Sequence, residues 1–127
     1  MKRSAGLFLL LLLVSSFTSY AADPAIIAVA AEGDELTAQV SAVAARCPYF
    51  LLFDAKGTFV EALANPHRDD RGGAGPQAAA FLADKEVTVA VAGAFGPKMV
   101  GALQSRGIRH LEFQGTADAA VKHALKK

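Results

Sequence analysis

The chain has one cysteine, no tryptophan and almost no imbalance of charge: 13 Lys and Arg stand against 12 Asp and Glu in 127 residues. A single thiol, Cys47, excludes an internal disulfide framework. The formal charge of +1 becomes −1 once Lys2 and Arg3 are set aside, and no basic stripe remains. A nucleic-acid partner therefore has no electrostatic support. No apolar run reaches the about 20 residues of a comfortable membrane span. Internal repeats and low-complexity segments are absent too.

The longest apolar run stands near the start. Met1, Lys2 and Arg3 make a short basic region, residues 5–14 are apolar and leucine-rich, and residues 15–20 turn polar. Ser19 and Ala21 place small residues at the two positions a signal peptidase reads. The pattern predicts a signal peptide over residues 1–21, cleaved after Ala21, with an uncleaved anchor as the alternative. The protein is then expected to be periplasmic or secreted, with no stable membrane insertion after cleavage. No cysteine stands directly after the run, which argues against a lipoprotein. Residues 22–127 suit a single domain that buries roughly two-thirds of its unfolded surface.

Within that domain, residues 26–30 form a short apolar run closed by Glu32, Gly33 and Asp34, a buried strand. Residues 36–45 are rich in helix formers, ended at the latest by Pro48. Residues 49–54 and 58–63 flank Ala55-Lys56-Gly57 and predict a hairpin. A polar, glycine-rich loop over 64–75 follows. A helix is expected over 76–85, with Ala78, Phe81 and Leu82 on its apolar face. Residues 87–92 predict a central strand buried on both sides. A second helix spans 97–106, where Met99, Val100 and Leu103 share a stripe, and Gly107 is its expected left-handed cap with Ile108 as apolar follower. Residues 109–113 form a last strand. Thr116 caps a final helix whose Ala117, Ala120, Val121, Ala124 and Leu125 face inward. The order predicts an α/β layered domain, and its second half demands parallel strands with right-handed crossovers.

Two glycine-proline elbows punctuate this second half, Gly72-Gly73-Ala74-Gly75-Pro76 and Gly93-Ala94-Phe95-Gly96-Pro97. A proline at the first helical position is pre-set in φ and lacks an N–H that would find no partner there. The glycines leave main-chain amides exposed at a positive helix end, where an anion is favoured. Each elbow also serves as a plain strand-to-helix turn.

Several blocks occur in a characteristic order: Ile27-Ala28-Val29-Ala30, Val40-Ser41, Arg46-Cys47-Pro48-Tyr49-Phe50, Asn65-Pro66, Gly72-Gly73-Ala74-Gly75, Gln77-Ala78-Ala79, Ala92-Gly93, Phe95-Gly96-Pro97, Ala102-Leu103 and Gly107-Ile108. With these, the chain resembles the dinitrogenase iron-molybdenum cofactor biosynthesis family, the NifX/NafY type of domain, over nearly all of its mature length. The resemblance implies a three-layer RNase H-like motif. Its mixed five-stranded sheet would have the order 3-2-1-4-5, with strand 2 antiparallel and helices on both sides. It also implies a carrier or chaperone of metal–sulfur clusters rather than an enzyme. Three departures stand out. Ala44-Ala45 replaces a common Phe-Gly, so that loop should be more helical. Glu86 stands where a glycine commonly ends the first helix; in the left-handed region it would carry a penalty of about 1 kcal/mol. An exported protein would also act away from nitrogenase assembly.

In that topology four loops, 33–48, 64–75, 93–97 and 114–116, meet beyond the carboxyl ends of the parallel strands, the usual ligand edge of open α/β sheets. They carry the candidate binding residues Arg46, Cys47, His67, Gly73, Gly75, Gly93, Phe95 and Gly96. Cys47 and His67 are the candidate metal ligands: a soft thiolate and a loop imidazole. Cys47 reads equally as a small buried hydrophobe, His67 as an exposed loop histidine, and Arg46 as the partner of a surface carboxylate. One Cys and one loop His fall short of a closed four-ligand site. The expected cargo is an iron–sulfur or iron–molybdenum-type cluster, or another small anionic ligand. His110 and His123 should lie away from this edge. Nuclease chemistry finds no carboxylates where it needs them, since Ile27 and Val29 occupy the strand positions. The alternative is a protein–protein interaction module of an extracytoplasmic redox or transport system, without metal.

Overall fold

The computed structural model describes residues 25–127; the expected leader and its cleavage site lie outside them. Five strands, β1 (Ala25–Ala31), β2 (Tyr49–Asp54), β3 (Phe59–Ala64), β4 (Val89–Ala92) and β5 (Arg109–Glu112), build one sheet. Its order is β3-β2-β1-β4-β5. β2 runs antiparallel to β1 and β3, whereas β4 is parallel to β1 and β5. The arrangement is the one the resemblance implied.

Period-two alternation along the strands divides the core into two faces. Ala28, Ala30, Phe50, Leu52, Ala90 and Ala92 look one way. There they meet Ala78, Ala79 and Leu82 of α1 (Ala74–Asp84) and Met99 and Leu103 of α2 (Pro97–Ser105). Ile27, Val29, Leu51, Phe53, Val89 and Val91 look the other way. They pack on Ala117, Ala120, Val121 and Ala124 of α3 (Ala117–Leu125). Alanines on the helix faces bring backbone close to sheet, which suits a small three-layer core.

Three boundaries differ clearly from expectation. Residues 36–45 form no α-helix. Their backbone is drawn into the sheet edge instead, through bridges Ala31↔Val40 and Gln39↔Thr116. The Leu36 and Ala38 carbonyls accept the first amides of α3, from Asp118 at 3.0 Å and Ala117 at 2.9 Å. Only a single 3₁₀ turn, Ala44–Arg46, remains helical. α1 starts at Ala74, so Pro76 is its third residue, not its first. β4 starts at Val89, because the Val87 N–H is used on the Leu82 carbonyl at 3.1 Å to close the end of α1.

Candidate functional site

Three helices begin at the carboxyl edge of the parallel strands, and they do not begin alike. The first amides of α3 are consumed by the Leu36 and Ala38 carbonyls. α1 and α2 have glycine at the N-cap, Gly73 and Gly96, and neither receives a side-chain capping bond. A glycine has no side-chain acceptor to offer. Pro76 and Pro97 have no N–H, so the amides without an intrahelical acceptor are those of Ala74 and Gly75 in α1 and Lys98 and Met99 in α2. Both positive helix ends open onto one cleft of about 390 Å³. Gly73, Gly75 and Pro76 form one wall, and Gly96, Pro97 and Lys98 the facing one. Val43, Ala45 and Arg46 close the third side. Two cations, two helix dipoles and an apolar lining make this a place for a compact anion with soft surfaces.

The glycines play different parts. Gly73 is left-handed at φ 71, and Gly96 is extended; a Cβ on either would meet nothing within 4 Å. Gly75 allows close helix contact, since a Cβ there would lie 2.9 Å from Met99 Cβ. Gly93 does not line the cleft. Its N–H donates to the Ser41 carbonyl at 2.7 Å, and a Cβ would stand 2.9 Å from Ala42 Cα. It is the point where two loops cross.

Arg46 stands at the rim. Its NH1 donates to the Arg68 carbonyl at 2.9 Å and to the Asp70 carbonyl, so it grips main chain rather than a surface carboxylate. His67 pairs through Nδ1 with Asp70 Oδ2 at 2.8 Å and lies edge-on to Phe81. Phe95 is not among the residues lining the cleft; its ring lies 5.2 Å from that of His110 on β5.

Cys47 is the main correction. It is 1% exposed, part of the core that carries Phe50 and Leu82, and does not reach the cleft. Burial pushes its thiol up to about 12, although Asn65 Nδ2 at 3.8 Å opposes the shift. The thiolate that a soft metal would need is thus suppressed. Among the described residues, no group of three His, Cys, Asp or Glu side chains is placed to hold a metal ion. Lys98 was not anticipated. Its one signal in the sequence is its place directly after an elbow proline.

The sheet order and its helices define a three-layer α/β domain with the RNase H-like motif. Residues 25–127 match the family described as dinitrogenase iron-molybdenum cofactor, and the chain belongs to that family. Among curated proteins none matches. The apo form of the orange protein from Desulfovibrio gigas is similar, with 33% identity over 84% of this chain and 91% of that one and a TM-score of 0.76. A Thermotoga protein provisionally described as NifB, solved by NMR, shares 28% identity over 80% of this chain and 88% of its own, with a TM-score of 0.69.

Proposed function

We propose that this protein is a non-catalytic carrier of an anionic metal–sulfur cluster, held in the cleft between the α1 and α2 N-termini. The observation that carries the reading is the convergence of two glycine-capped helix ends with Arg46 and Lys98 on one apolar-walled cleft. The family is described by an iron-molybdenum cofactor, and such cargo fits the donor set on one condition. The cluster must bring its own sulfide ligands, because the cleft offers N–H donors and cations but no thiolate. Arg46, Lys98 and the amides of Gly75 and Met99 would then hold its sulfides by charge and hydrogen bonding. We propose further that the chain is exported, its leader removed after Ala21.

Anaerobic titration with tetrathiomolybdate, followed by its visible absorbance, tests the cargo. Wild type should bind. Gly96→Val, which drives a side chain into open cleft, and Arg46→Gln should each weaken binding about tenfold, a loss of roughly 1.4 kcal/mol. Equal binding by wild type and Gly96→Val would remove the cleft from consideration. A second reading, a docking module without metal, is favoured by exposed Leu36, Phe59 and Leu125 around a groove of about 230 Å³ beside α3. It predicts no uptake of thiomolybdate.

A further inference from the structure

Two segments meet beside the cleft: the 3₁₀ turn Ala44–Arg46, which lines it with Ala45 and Arg46, and the loop that begins at Asn65 and reaches it at Gly73. Each holds the other. Asn65 is buried, and its Nδ2 donates to the Ala45 carbonyl at 3.0 Å and to the Cys47 carbonyl at 3.0 Å. These two carbonyls flank Arg46. Arg46 in return donates to the Arg68 and Asp70 carbonyls, in the loop that Asn65 begins. Asn65 also shapes its own loop, accepting the His67 N–H on Oδ1 at 3.0 Å, while its main-chain N–H donates to the Pro48 carbonyl at 2.9 Å. The amide can face only one way. A flipped carboxamide would set oxygen against two carbonyls and NH₂ against an N–H.

We propose that Asn65 is a positioning residue for the cleft, acting through Arg46 as the buried half of a reciprocal clamp. The inference rests on the carrier reading for what the cleft binds, but the clamp itself is a property of the two segments. Only asparagine supplies both donors and the acceptor at this reach. Aspartate has the same shape and would turn a carboxylate toward two carbonyl oxygens. Arg46 would then lose the backbone that aims it.

The test is a double-mutant cycle on the whole chain with tetrathiomolybdate as probe. Asn65→Asp is expected to weaken binding about tenfold in the wild-type background, the usual scale for partners that orient a binding group. In an Arg46→Gln background the same change should cost little more, because the group it aims is gone. Urea unfolding confirms that each variant is folded at the assay temperature. Should Asn65→Asp fail to fold, Asn65→Ser takes its place, since a hydroxyl retains one hydrogen bond but cannot span both carbonyls. A second readout is the rate at which a thiol reagent labels Cys47 in the native state. A reciprocal clamp predicts that Arg46→Gln, although a surface change, speeds labelling as Asn65→Asp does. Additive losses of binding, or unchanged labelling in Arg46→Gln, overturn the clamp. Absence of wild-type binding with faster labelling in both variants would instead overturn the carrier reading and leave the clamp standing.

Discussion

Burial takes Cys47 out of thiolate chemistry near neutral pH and ties it to stability instead. Its ordinary value of 9.0 rises to about 12 in the fold, chiefly because the charged form is desolvated. Below pH 9 the thiol is protonated in both folded and unfolded chains and has no effect on the slope. Between about 9 and 12 the unfolded chain releases the proton and the folded one keeps it, so stability falls as pH rises. Urea midpoints of wild type and Cys47→Ala measured from pH 7.5 to 10.5 should therefore converge as the pH is raised; parallel curves would show the thiol titrating alike in both states. Cys47→Ser should leave thiomolybdate binding unchanged. The sequence reading sent the loops of Arg46, Gly73, Gly75 and Gly96 to one edge, because the strand order implied by the family resemblance brings them there. It could not settle Cys47, since a thiol beside a loop proline has no periodicity to say which way it points. Lys98 carried no pattern either. The two carbonyls that Asn65 grips come within its reach only when residues 45–47 turn.

The helix ends show the same device built from two different residues. α2 closes with the Ile108 N–H on the Leu103 carbonyl at 2.9 Å and the Gly107 N–H on the Gln104 carbonyl at 3.1 Å. α1 closes with the Val87 N–H on Leu82 at 3.1 Å and the Glu86 N–H on Ala83 at 2.9 Å. This is the Schellman pattern in both, with buried Val87 and Ile108 as apolar followers. Gly107 sits at φ 74, and Glu86 occupies the equivalent place at φ 64. A Cβ at Gly107 meets nothing within 4 Å, so Gly107→Ala tests backbone conformation alone. It should cost about 1 kcal/mol, read from the urea midpoint. Glu86→Gly should give back roughly 0.5–1 kcal/mol, the left-handed strain less the glycine's larger unfolded-state entropy. The Gly107 cap was legible in the sequence, as a glycine followed by an apolar residue, whereas Glu86 stood out only against the glycine common at that place in the family. The 36–45 segment was not, because its propensity is helical while its carbonyls are needed to close α3. Local preference lost to a tertiary hydrogen-bond requirement.

At the scale of the whole molecule, β1 sets the two ends of the domain apart. β1 is the central strand, and Ala25 at its start pairs with Asp54 at the end of β2. The cleft lies past the opposite, carboxyl end of β1. The strand order itself came from the family resemblance, since hydrophobic patterning specifies elements and faces but not which strands become neighbours. The proposed export would carry a further requirement on charge. Loss of Lys2 and Arg3 would leave a mature chain of formal charge −1, so the proposed anionic cargo would be drawn by the local field of Arg46, Lys98 and two helix ends rather than by net charge. The expected product begins at Ala22, because Ser19 and Ala21 occupy the small-residue positions of the site. Intact-mass measurement on protein recovered from an extracytoplasmic fraction should give the 22–127 chain. Precursor retaining Met1 in a membrane pellet would replace cleavage with anchoring. Because the described residues that line the cleft all lie from Val43 onward, precursor and mature forms should bind thiomolybdate equally, and a difference between them would mean that residues before Ala25 contribute to binding.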